Sequence, residues 1–198
     1  MQDTDPDPER SDLEGTGPAP AGSDGDPAAE DGLTHLTRGD DGSRSARMVD
    51  VGGKPTTVRE AVARARVVFG AGQLEAILAA AGPKGPIEEV ARVAGILGAK
   101  RTSELIPMCH GLALDHVELT FERVAPDVLE VRCTARCQGA TGVEMEAMTG
   151  ASIAALTVYD MVKGVDKSIR VGGVELVEKR GGKSGHWRRA DQAPGSRD

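Results

Sequence analysis

The sequence predicts an α+β fold in which a largely antiparallel sheet packs against helices. Three observations carry that expectation. Residues 141–164 read as one long helix with no charged side chain from Ala147 to Tyr159. Residues 112–124 and 128–138 read as two strands joined across Ala125-Pro126-Asp127, a hairpin turn. Strand-like and helix-like segments are interspersed along the chain rather than strictly alternating, which is the pattern of a mixed fold.

The first 32 residues hold ten acids against Arg10 alone, and five of the eleven prolines. A segment so charged and so poor in apolar residues cannot offset its ordering entropy, so disorder is expected there. The whole chain carries −7, so removing this tail's −9 leaves about +2 on the rest. Residues 33–187 then form one domain of ordinary size, and residues 188–198 a short C-terminal tail. The near-neutral body is free to offer basic patches to an anionic ligand.

One Trp, one Tyr and two Phe are present, so the core must be built from Val, Ala, Leu and Ile. That scarcity argues against a nucleic-acid platform, which stacks successive bases on aromatic rings. No apolar run approaches the roughly 20 residues of a membrane span. The acidic N-terminus lacks the basic and apolar regions of a secretory signal. A cytoplasmic protein is expected. Cys109, Cys133 and Cys137 fit a reducing compartment and match no common zinc spacing. Cys133 and Cys137 fall on one face of a strand, as small hydrophobes.

From Thr56 to Phe69, Ala61, Ala63, Ala65, Val67 and Phe69 alternate with charged residues, a period of two that favours a strand over a helix. Arg59 shares the apolar side, where it either pairs with an acid or awaits an anion. A short helix is expected from Gln73 to Ala81, and another from Ile87 to about Lys100. Lys84, between Gly/Pro pairs at the second helix's start, is placed to meet a phosphate. Residues 105–110 read as a buried approach to polar chemistry, and residues 169–178 as a further strand.

The long helix is expected to span roughly 22 residues. Thr141 and Glu144 have capping-box spacing at its start, and Gly164 suits a left-handed C-terminus. Gly150, Ala151, Ala154 and Ala155 would admit a neighbouring backbone, and a helix so apolar must be covered on all sides. Its ends are polar. Met145 and Glu146 lie in the first turn, and Asp160 and Lys163 in the last, three residues apart and able to act together. A carboxylate and an amine tuning each other suit general acid/base work, while an ordinary exposed ion pair is the simpler reading. Gly181–Gly185 resembles the end of a phosphate loop. Val177 stands where a Walker motif needs Gly, yet Lys183, Ser184 and the backbone N–H groups still suit a phosphate. Beyond Gly185 the residues are polar and tail-like.

Together these stretches resemble the molybdenum cofactor biosynthesis protein C family, the cyclic pyranopterin monophosphate synthases. The matching pieces are Leu33–His35, Met48–Val51, Thr57–Ala61, Ala91–Thr102, Leu105–His110, Thr141–Lys163, Asp166–Ser168 and Gly181–Gly185. The sequence departs from the usual pattern at Pro86, commonly Asp, and at Gly111, commonly Pro. The resemblance implies a ferredoxin-like subunit in a homohexamer, a trimer of dimers, with active sites at subunit interfaces. It implies a small-molecule substrate, (8S)-3′,8-cyclo-7,8-dihydroguanosine 5′-triphosphate, made upstream by a radical S-adenosylmethionine enzyme. This would be rearranged to cyclic pyranopterin monophosphate with loss of pyrophosphate. By the same resemblance Asp160, Lys163 and Lys84 are the catalytic groups. Met108, Cys109, His110, Met145 and Glu146 line the pocket, with Glu144 either a cap or a ligand group. Arg59, Lys167 and Lys183 meet the triphosphate. No resident cofactor or metal is implied, and whether Mg²⁺ accompanies the triphosphate is left open.

Overall fold

The computed structural model describes residues 36–38, 41–79, 85–183 and 185–190. The acidic segment 1–32, Leu33–His35, Lys84, Ser184 and 191–198 lie outside the described residues. The chain divides into two units, Met1–Ala46 and Arg47–Asp198. In the first, β1 (Leu36–Arg38) pairs antiparallel with β2 (Arg44–Ala46).

The second unit runs β3 (Thr57–Val68), α1 (Gln73–Ala79), α2 (Ile87–Lys100), α3 (Thr102–Leu105) and β4 (His116–Ala125). It continues with β5 (Val128–Gly139), α4 (Glu144–Val162), β6 (Arg170–Arg180) and β7 (His186–Arg188). The five strands form one antiparallel sheet in the order β4-β5-β3-β6-β7. A βαββαβ chain with the order β4-β5-β3-β6 is the ferredoxin-like arrangement. The expected α+β fold is therefore the observed one.

Period-two patterning explains how the layers meet. Ala61, Ala63, Ala65 and Val67 of β3 and Leu129, Val131, Cys133, Ala135 and Cys137 of β5 are all buried on one sheet face. Small side chains there let α4 lie close, with Ala147, Ala151, Ala154, Ala155 and Val158 buried against them. On its other side α4 packs on α2. The backbones approach at two glycines: a Cβ on Gly95 would sit 2.9 Å from the Gly150 carbonyl oxygen. A Cβ on Gly150 would sit 2.6 Å from Cys133 Sγ. Gly150→Ala is thus expected to cost about 1–3 kcal/mol through overpacking, read as a lower urea midpoint at unchanged slope.

Several expectations are corrected. The long helix starts at Glu144 with Val143 as N-cap and no side-chain cap, so the Thr141–Glu144 capping box does not form. Glu144 instead lies over Gly142 and reaches Lys179 Nζ at 3.0 Å. At the other end Lys163 is the C-cap in right-handed geometry, and Gly164 has no positive φ. The helix is not covered all round within one chain: Leu156 is 52% exposed, because the sheet and α2 cover only two of its sides. Residues 105–107 are exposed rather than buried, because α3 turns Leu105 outward. Residues 186–188 are a strand, not a tail. Positive φ at Gly181, Gly182 and Gly185 turns the chain back so that β7 pairs with β6. Pro86 takes the N-cap of α2, and the helix survives the loss of an acidic cap.

Candidate active site

A cleft of about 610 Å³ opens where the first turn of α4 meets the ends of β3 and β6. Arg59, Glu144 and Lys183, all singled out from the sequence, line it. So do Lys54, Lys179 and Arg180, which were not. With Glu60 the only other ionisable group of the lining, five cations face two carboxylates, and the cleft is net positive. Small anions are drawn to such a concavity.

Each cation is placed by the fold. The alternation that buries Ala61 turns Arg59 to the same side, where its guanidinium donates to the carbonyls of Gly139 (3.2 Å) and Ala140 (3.4 Å). A Cβ on Gly182 would overlap that guanidinium, so a glycine at φ +69° is what lets Arg59 lie under the turn. Lys179 stands opposite Ala61 in the β3–β6 register and holds Glu144 at the rim. No spacing in the sequence reveals Lys54 or Lys179, since register and turn geometry bring them in.

Glu146, in the first turn of α4, is 4% exposed. Burial pushes its carboxyl above the ordinary range; its own backbone N–H opposes this in part, and the charge of Glu144 adds a smaller push upward. Burial, followed by the Glu146 charge, also pushes the Cys109 and Cys137 thiols up; Arg59 partly offsets this at Cys137. These groups therefore share a neighbourhood beside the cleft. Met108, Cys109 and His110 are half-buried, and His110 Nε2 donates to the Val49 carbonyl at 2.9 Å. Met145 is 38% exposed. Burial pushes the Cys133 thiol up to about 12. Alkylation of the folded protein at pH 8 is expected to reach Cys109 first, and Cys133 and Cys137 only after unfolding, as mass spectrometry would read.

Asp160 and Lys163 lie elsewhere. Lys163 Nζ is 2.6 Å from Asp160 Oδ1 on an exposed turn. The hydrogen bond and charge of Asp160 raise the Lys163 pKa. Fourteen residues separate Glu146 from Asp160, about 21 Å along the helix axis. Lys167 is exposed on the loop after α4, at that same far end. One chain thus gathers Arg59, Glu144, Met145, Glu146 and Lys183 at the start of α4 and Asp160, Lys163 and Lys167 at its end, and does not join the two groups. No group of three or more His, Cys, Asp or Glu side chains able to hold a metal occurs among the described residues. No helix among them is long and apolar enough to cross a membrane.

Residues 48–182, from before the cleft's first lysine to the Gly182 turn, match the model of the MoaC family. The chain belongs to the MoaC family. A cyclic pyranopterin monophosphate synthase of Chloroflexus aggregans is 53% identical over 164 residues, covering 82% of this chain and 97% of that protein. Its counterpart in Chloroflexus aurantiacus is 54% identical, covering 81% of this chain and 97% of its own. That of Novosphingobium aromaticivorans is 50% identical, covering 80% and 98%. The MoaC-family chain is an enzyme, and its cleft lies wholly within the matched region apart from Lys183.

Proposed function

We propose that the chain converts (8S)-3′,8-cyclo-7,8-dihydroguanosine 5′-triphosphate to cyclic pyranopterin monophosphate with release of pyrophosphate, a step of molybdenum cofactor biosynthesis in the cytoplasm. The observation that carries this is the basic cleft beside a buried carboxyl, in a chain whose relatives bear the synthase name. A radical S-adenosylmethionine enzyme would supply the substrate. No resident cofactor is required, and any Mg²⁺ enters as part of the substrate.

The chemistry divides between the two ends of α4. Arg59, Lys183 and the neighbouring lysines face the triphosphate and stabilise the charge that grows on departing pyrophosphate. Ring rearrangement needs protons moved on nitrogen and oxygen, the work of Asp160 and Lys163, with Lys84 as their partner. Lys163 paired to Asp160 on an exposed turn holds its proton too firmly for a base at neutral pH. Burial against a second chain reverses this, because desolvation lowers an amine's pKa. We therefore place the complete site between chains of a homohexamer, a trimer of dimers, each contributing one end of α4. Exposed Leu156, together with Val90, Val93 and Leu97 on α2, offers apolar surface for such a contact.

Incubating the purified protein with the cyclic triphosphate and following pyrophosphate tests the assignment. Saturable release is expected. Binding without release would mark a regulator, and neither binding nor release a structural protein.

A further inference from the structure

The chain has a single tryptophan, and it is spent on neither the core nor a buried contact. Trp187 lies in the middle of edge strand β7 and is 39% exposed. Its position is fixed by pairing: Trp187 stands directly opposite Lys179, and Lys179 stands opposite Ala61. Opposed residues in a ladder share a face, with Cβ atoms about 4.5–5.5 Å apart. Trp187 therefore projects on the helix side of the sheet, next to a cation that lines the basic cleft. The indole is also braced. The guanidinium of Arg189 lies 5.9 Å from the ring centroid, and its Nε donates to the Leu176 carbonyl at 2.8 Å. A flat, braced, part-exposed aromatic face paired with a lysine of a basic cleft of about 610 Å³ has an evident chemical counterpart. It is complementary to a nucleotide whose phosphates sit among cations and whose bicyclic ring lies flat.

We propose that Trp187 is the surface on which the purine-derived ring of the substrate stacks while its phosphates occupy the cleft, making it a specificity-determining residue. This rests on reading the cleft as the triphosphate site. The lysines and Arg59 hold charge and do not distinguish a nucleotide from inorganic phosphate. Trp187 supplies that distinction.

One tryptophan per chain makes the test direct, since emission excited at 295 nm reports on Trp187 alone. The full-length protein is titrated with GTP and with inorganic tripolyphosphate, binding being followed by calorimetry and emission in parallel. Both are expected to bind, but only GTP changes the emission saturably. Trp187→Ala is expected to weaken GTP about tenfold and leave tripolyphosphate within about twofold, while Trp187→Phe keeps GTP within about threefold. Bound GTP with unchanged emission, or equal GTP affinity in Trp187→Ala, overturns the stacking role and leaves the phosphate site standing. Absence of binding by both ligands overturns the phosphate site and the stacking role together. The Phe variant guards against a folding defect, because it keeps a ring on the strand.

Discussion

Asp160→Asn is expected to lower pyrophosphate release at least about a hundredfold, the low end for loss of a positioned acid or base. The fold of the single chain should be little affected, because within it Asp160 is 53% exposed and its 2.6 Å pair with Lys163 is a surface one. The more telling result concerns mixtures. Glu146→Gln alters the opposite end of α4, about 21 Å away, so it and Asp160→Asn would damage separate halves of the site proposed between chains. Co-expressed, the two inactive chains are expected to recover about one quarter of the parental activity in random dimers with two-fold symmetry. In a mixed dimer one site collects both damaged ends, and the other collects neither. Recovery is read by subunit exchange followed by the pyrophosphate assay. Mixed oligomers with no recovery would place the whole site within one chain, against the helix length.

Local signals were legible where local physics decides. Helix α2 was expected from Ile87 to about Lys100 and spans those residues, because Pro86 stops the chain before it and a continuous apolar face runs through it. Strand β3 was legible because period two, which puts Ala61, Ala63 and Ala65 on one face, outweighs an Ala and Arg content that would also suit a helix. The capping box failed for a reason the local sequence does not contain. Glu144 found Lys179, distant in the chain, a partner that β3–β6 register brings alongside. Lys54, Lys179 and Arg180 went unnoticed in the cleft on the same account. Asp160 and Glu146 belong to one helix, and resemblance grouped them in one pocket; a helix is stiff, so one chain cannot bring its two ends together. Periodicity reads faces well and says nothing of which chain will cover them.

The largest stability effect is expected at Glu130. Its side chain is 1% exposed on the sheet face opposite α4, an unusual place for a carboxylate. Arg132 Nε lies 2.7 Å and Arg66 Nε 3.0 Å from its oxygens, with Arg64 at 3.8 Å. Burial alone would push this carboxyl up, but hydrogen bonds from Arg132 and Arg66 and the charges of Arg132 and Arg64 outweigh it and hold the pKa down. Removing the centre leaves Arg64, 12% exposed and still held by Glu175 at 2.7 Å, beside Arg66 and Arg132, which lose their carboxylate. Glu130→Ala is therefore expected to cost about 3 kcal/mol, near the lower end for breaking a buried pair, since Arg66 and Arg132 keep contact with water. That corresponds to about 6–12 °C in melting temperature for a domain of this size. The pH dependence gives the cause. A depressed pKa stabilises above the unfolded value of about 4.3 and loses that stabilisation as pH falls through the folded value. The gap between parent and variant should be full at pH 7 and close progressively below pH 4. A gap that stays constant into acid would mean lost packing, not lost charge, sets the cost. Glu130→Gln separates the two, because it keeps the volume and removes the charge.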